Sequence, residues 1–240
     1  MRQIYVSLLI VFFAVNLSAQ NYPRWFLFPC EYSEFQIGYV NVGSSPDSTL
    51  LKLALENASI SYAKKGEIKV SVVKSFYGAG TGTAVTHKLK SLAYDTSLAI
   101  DFAESDTIFC EYKKKNIFFG LYGNSKSAES INNEVLDCSN YNNPCEVKEF
   151  QNDTNSIYSI GVSEKYFYET SSWAMAEDNA LEQIAESLRN NVNEEVRVAY
   201  DQIAGERTVK IAQRVNGYTI LRRYYDSAKK VFYVLAKARK

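Results

Sequence analysis

A glycine run, a lone histidine, pairs of adjacent carboxylates and four cysteines are the residues of this chain whose types could do chemistry. "GAGTG", from Gly78 to Gly82, follows a segment of strand character ending at Tyr77, and its backbone amides could cradle a phosphate. It lacks the lysine and hydroxyl of a phosphate-binding loop and the third-glycine spacing of a dinucleotide fingerprint, so a tip between two strands is expected. His87 has no second imidazole with which to share a metal. A Ser-His-Asp triad would have to use it as its base, and no serine sits in a Gly-x-Ser-x-Gly elbow. Glu177 with Asp178, and Glu194 with Glu195, lie beside good helix formers on faces expected to meet water, where solvation explains them better than acid–base work. No catalytic, cofactor-binding or metal-ligating residue is therefore nominated, and the chain is read as noncatalytic.

The cysteines suggest structure instead. Cys138 and Cys145, at the two ends of "CSNYNNPC", can close a short loop, a staple worth about 2 to 3 kcal/mol by loop-closure arithmetic. Cys30 and Cys110 are the weaker second pair, formed if an opening strand lies beside the hairpin that carries Cys110. No Cys-x-x-Cys pair exists for zinc. Bridges of this kind suit an oxidising compartment, and the amino terminus points the same way. "MRQIYVSLLIVFFAVNLSAQ" has Arg2, an apolar run from Ile4 to Val15 and small residues to Ala19, the pattern of a signal peptide over residues 1–19. The run is shorter than the ~20 residues that span a bilayer. No transmembrane segment is expected after cleavage, and the exported chain is expected in the periplasm, on the periplasmic face of the outer membrane, or outside the cell. Lysine plus arginine balances aspartate plus glutamate at 27 each, which favours no nucleic-acid partner.

These residues must be positioned by elements that occur twice. "WAMAEDNALEQIAESL" sets Trp173, Ala176, Ala180, Leu181, Ile184 and Leu188 on one helical face. "ALENAS" lies on an earlier helix, for which Ser45 is the expected cap and Pro46 the first residue. "FQIGYV" precedes the first helix and "YSIGVS" the second, and each half ends in a strand, a lysine-bearing turn and a strand. The expected fold is α+β: two tandem copies of one helix on an antiparallel sheet, with Ala54 matched to Ala180 and Gly38 to Gly161. The first copy spans 20–122 and the second 157–240. Between them, 123–156 is rich in asparagine and serine and reads as an exposed linker closed by the short disulfide. A bulky residue at Ala180 is expected to overpack the sheet, while Glu182, on the opposite face, is expected to tolerate change.

The second copy, with "YSIGVSE", "AMAEDNALEQIAESL" and "VFYVLAKAR", resembles a bacterial envelope family often called lipoprotein-twenty, related to flagellar outer-membrane-ring components. "YPRWF", with Pro23 and Trp25, is similar to the proline-tryptophan strand that opens that family, although here it precedes the first copy. Members are commonly lipidated, whereas the first cysteine after the leader in this chain is Cys30. The resemblance implies no catalytic residues and a role in binding or scaffolding other envelope proteins. "EKYFYETSSW" holds more aromatics than a surface loop usually carries. Tyr166, Phe167 and Tyr168 are consecutive, so one strand or helix cannot bury all three on one side. They read either as a docking surface for a protein or glycan, or as a loop folded over the sheet. The alternative role is a carrier of a small apolar ligand or lipid between helix and sheet. Sequencing the amino terminus of exported protein should find Gln20 first, and a chain beginning at Met1 would contradict the leader.

Overall fold

The computed structural model describes residues 21–79, 82–123, 131, 133–138, 153–191, 199–201 and 206–240. The first half contains β1 (Asn21–Pro23), α1 (Arg24–Leu27), a 3-10 turn (Pro29–Tyr32), β2 (Gln36–Asn41), α2 (Asp47–Ala63), β3 (Glu67–Ala79), β4 (Gly82–Tyr94), α3 (Thr96–Ser105), β5 (Thr107–Lys114) and β6 (Ile117–Gly123). After it come β7 (Val135–Asp137), β8 (Ser156–Glu164), α4 (Glu169–Asn191), β9 (Ala199–Asp201), β10 (Glu206–Asp226) and β11 (Val231–Arg239). The architecture is α+β: the strand pairs are antiparallel and the helices pack on sheets. Pro46, not Ser45, is the cap of α2, with Asp47 in the first turn, where a carboxylate complements the amino-terminal end of the helix dipole.

Two helix-on-sheet units carry the same strand pattern. In one, α2 packs on the sheet β2-β6-β5, and in the other α4 packs on β8-β11-β10. The contact that seats each helix is the same in kind. A Cβ added at Gly38 would lie 1.7 Å from the Ala54 carbonyl oxygen, and one added at Gly161 would lie 1.8 Å from that of Ala176. Only glycine admits so close a backbone approach. Beside each glycine an asparagine on the helix reaches back to the strand. Asn57 donates to the Tyr39 carbonyl at 3.0 Å, and Asn179 to the Val162 carbonyl at 2.8 Å. The contacts set Gly38 against Ala54, and Gly161 against Ala176 and Ala180 together, so they do not single out Ala180 as the counterpart of Ala54. Residues four apart on a helix share a face, so apolar periodicity cannot distinguish Ala176 from Ala180.

Two expectations about the organisation of the chain fail. The hairpin β3–β4 does not join β2, β5 and β6. Instead β3 pairs with β10 from Glu67↔Asn216 to Tyr77↔Glu206, so the two halves of the chain share one sheet. The long strand β10 turns at Gly217, whose φ of +66° is open to glycine, and whose N–H donates to the Gly66 carbonyl at 3.2 Å. Before this point β10 lies between β3 and β9, and after it β10 borders β11. The segment 123–156 is also not simply an exposed linker. Within it β7 pairs with β1, and Leu136 and Cys138 are buried in the main aromatic core. That core joins the units. Phe26 and Trp173 lie 5.4 Å apart at 83°, Phe26 and Phe119 4.6 Å apart, and Trp173 and Phe232 4.8 Å apart, edge-on contacts favoured by the ring quadrupoles.

The shared close approach makes a quantitative expectation. Gly161→Ala should cost more than about 3 kcal/mol in urea denaturation, because the obstruction is backbone and cannot swing away. Gly43→Asn should stay within about 0.5 kcal/mol, since nothing lies within 4 Å and asparagine tolerates its positive φ. Equal costs at the two sites would refute the account.

Candidate functional site

The alternation of β10 sends Leu221, Arg223 and Tyr225 inward, which places a guanidinium in the core. Arg223 is answered on all its edges. Nε and Nη2 donate to Oε1 of Glu177 on α4 at 3.0 and 2.8 Å, and Nη1 donates to the Phe26 carbonyl at 2.8 Å. The Phe26 ring centroid lies 4.4 Å from the guanidinium carbon. The Tyr39 hydroxyl of β2 donates to the same Glu177 oxygen at 3.1 Å, and the Tyr218 hydroxyl to the Glu177 carbonyl at 2.8 Å. Burial holds the phenols of Tyr39 and Tyr218 well above the usual tyrosine range, so they act as neutral donors. The arrangement ties α4, β10, β2 and α1 together and leaves Glu177 Oε1 fully engaged.

The carboxylates expected on a solvent face of α4 are therefore put to other use. Glu177 is held as described. Asp178 takes Lys90 at 3.4 Å and Lys64 at 4.0 Å, and Lys90 also donates to the Asp178 carbonyl at 2.8 Å. Glu182 is buried and does not lie on a solvent face: Oε1 pairs with Lys74 of β3 at 2.9 Å, and Lys74 also reaches Glu186. An acidic edge of the helix thus fastens the β3–β4 hairpin. Glu194 and Glu195 lie outside the described residues.

Beside the Arg223 network the two units leave a cleft. Its inner part, about 60 Å³, is bounded by Gln36, Ile37, Lys64, Lys65, Tyr218 and Arg223. Its outer part, about 340 Å³ between α2 and α4, is bounded by Tyr39, Val40, Asn57, Ile60, Thr170 and Ala174. Ile37, Ser61, Lys64 and Glu177 belong to both. The Lys65 ammonium donates to the Ser33 carbonyl at 3.2 Å, and burial pushes its pKa down to about 8.

The aromatic connection is exposed. Tyr166 is 47% accessible, Phe167 92% and Tyr168 50%, whereas Trp173 is fully buried. The loop is nonetheless fixed. Ser172 Oγ accepts from the Tyr166 N–H at 2.8 Å, the Ser171 N–H donates to the Tyr168 carbonyl at 3.1 Å, and the Phe167 and Tyr168 rings meet edge-on.

The remaining candidates are dispersed. Of "GAGTG", Gly78 and Ala79 end β3 and Gly82 begins β4, so a strand and not a helix follows, while Gly80 and Thr81 lie outside the described residues. His87 lies within β4 opposite Ser75. Cys30, Cys110 and Cys138 are free thiols, so the expected Cys30–Cys110 bridge is not formed, and Cys145 lies outside the described residues. Burial raises all three thiols, that of Cys138 to about 12. Among the described residues no cluster of three or more histidine, cysteine, aspartate or glutamate side chains could hold a metal, and no helix is long and apolar enough to cross a membrane. No protein-family model, no curated protein and no solved structure matches this chain.

The Arg223 network escapes a search for paired catalytic residues, although the alternation through Leu221, Arg223 and Tyr225 carries the signal. Glu177→Ala strands a buried cation and should cost about 3 to 5 kcal/mol in chemical denaturation, part of it recovered in Glu177→Ala/Arg223→Met. Additive losses would contradict the pairing.

Proposed function

We propose that this chain is a noncatalytic module of the cell envelope, exported by its leader, which binds or scaffolds other envelope proteins through Tyr166, Phe167 and Tyr168. The observation that carries this reading is three consecutive aromatic rings held out to solvent on a loop fixed at both ends. Aromatic residues dominate binding energy at interfaces, and a loop fixed beforehand loses little conformational freedom on docking. The resemblance to the lipoprotein-twenty family fits a partner within the envelope. The two helix-on-sheet units, with their shared glycine and asparagine contacts, are in this proposal copies of one ancestral unit, of which the first has lent its β3–β4 hairpin to the second. The cleft between α2 and α4 favours a second reading, a carrier of a small apolar ligand or lipid.

The docking surface is tested by placing a photo-crosslinking phenylalanine analogue at position 167 and, as control, at exposed position 100. A discrete envelope protein should crosslink from position 167 alone. Replacing Tyr166 and Tyr168 by serine should abolish that product while the melting temperature stays unchanged. Identical products from both positions, or a product that survives the replacement, would move the binding surface elsewhere.

A further inference from the structure

β2 is the end strand of its sheet, and its outer edge opens between two helices. The two faces of the strand show how. Val40 packs in the core under α2, and Ile37 in the core that holds Trp173 and Ala176 of α4. One helix therefore covers each face of β2, and the outer cleft of about 340 Å³ lies along the edge between them. Residues of an antiparallel strand turn both backbone groups to one side, alternately toward and away from the paired strand. The Val42 N–H donates to the Asn116 carbonyl at 2.7 Å, on the side of β6, while the Tyr39 carbonyl accepts from Asn57 at 3.0 Å, on the side of the cleft. Ile37, Tyr39 and Asn41 thus direct their backbone groups into the cleft. Asn57 stands where the N–H of an added strand would stand.

The surroundings of this edge specify what could be added. A strand edge is a template for another extended chain. A second folded sheet could not reach it, because the helices on that sheet would meet α2 and α4, so the occupant is a single strand. The walls carry Asn57, Ser61, Thr170 and Ser171, which can bond polar side chains. Where β2 begins, Lys64, Lys65 and Arg223 border the inner cleft, and the carboxylate beside them, Glu177, is committed to Arg223. Lys64 reaches Asp178 only at 4.0 Å, and Lys65 donates to the Ser33 carbonyl. This end of the edge is complementary to a carboxylate.

We propose that the cleft between α2 and α4 binds the carboxyl-terminal segment of a partner protein as a strand added antiparallel to β2, with its terminal carboxylate at Lys64 and Lys65. At ~3.4 Å per residue the edge from Ile37 to Asn41 takes about five residues of the partner. Backbone bonds supply affinity, the polar walls select serine, threonine and asparagine, and proline is excluded wherever its nitrogen would face β2. The site is separate from the loop of Tyr166 to Tyr168, and it takes the cleft for a peptide in place of the apolar ligand of the carrier reading.

The test begins with a library of acetylated hexapeptides bearing free carboxyl termini, from which the protein should enrich a defined sequence. The enriched peptide should bind at least about tenfold more weakly as its carboxamide. Lys64→Gln/Lys65→Gln should erase that difference. Single N-methyl groups should weaken binding at alternate residues of the peptide and be tolerated at those between. In the wild type, amide exchange at Ile37, Tyr39 and Asn41 should slow when the peptide binds, while Gly38 and Val40, bonded to β6, should not change. These two readouts need no variant to fold. Ala174→Trp, at an exposed position in the wall, should abolish binding with the melting temperature unchanged. Replacing Tyr166 and Tyr168 by serine should leave peptide binding intact, which separates this site from the aromatic loop. Failure to enrich any sequence, equal binding of acid and amide, or the absence of the alternating N-methyl pattern would overturn the proposal. So would displacement of the peptide by 1-octanol, which would return the cleft to an apolar ligand, or a dimer abolished by Ala174→Trp, which would assign it to a second copy.

Discussion

A guanidinium taken out of water between two packed units has to be met on every edge, and the placing of Arg223 constrains much of what surrounds it. Glu177 must come from α4, Phe26 must offer its carbonyl from α1, and Tyr39 must reach across from β2. Each of these groups belongs to a different element, so the relative positions of those elements are specified by hydrogen-bond geometry as well as by apolar contact. Apolar burial alone would hold the units together without fixing their register, because it is nondirectional. The same point explains why the surrounding core is aromatic. Phe26 packs under the guanidinium and edge-on against Trp173 and Phe119, joining the charged centre to both sheets.

Helix α4 can meet these demands only because it sits unusually low on its sheet. Gly161 allows the Ala176 backbone to approach the strand, and Asn179 then reaches the Val162 carbonyl. With its core face so fixed, the helix has two remaining edges, and both are used. One carries Asp178, Glu182 and Glu186 toward the lysines of β3 and β4. The other carries Thr170, Ala174 and Glu177 toward the cleft. A hairpin from the first half of the chain is thereby fastened to the helix of the second, by ion pairs on one side and by the β3–β10 ladder on the other.

The helix over 169–191 is legible in the sequence because its small and apolar residues recur at three and four, and the buried Trp173 follows from the same pattern. That at least one ring of Tyr166, Phe167 and Tyr168 is exposed follows from a steric rule, since three consecutive side chains cannot share one face. Pairing between distant strands obeys no such local rule. The β3–β4 hairpin alternates as well for a sheet with β6 as for one with β10, and only the tertiary fold decides. Glu182 reads as solvent-facing for the same reason, as its partner Lys74 lies on that hairpin. The burial of Leu136 and Cys138 is likewise hidden by a composition rich in asparagine and serine, which reflects the segment's average and not its two core residues. Lys65 gives no sign in the sequence at all, since a lysine at a helix end ordinarily extends into water.

The first turn of α4 brings the two proposed binding surfaces into physical relation. Ser172 is buried and accepts the Tyr166 N–H, so the aromatic loop takes its position from the helix and not from its own side chains. Thr170, Ser171 and Ala174, in the same turn and the one after it, form one wall of the outer cleft. That wall cannot retreat by sliding α4 along the sheet, because the Gly161 approach and the Arg223–Glu177 pair both oppose such motion. Adjustment to an occupant therefore falls on the side chains of the wall and on the facing helix α2. The aromatic loop and the outer cleft are thus built on one fixed turn of α4, held by the same contacts to the sheet.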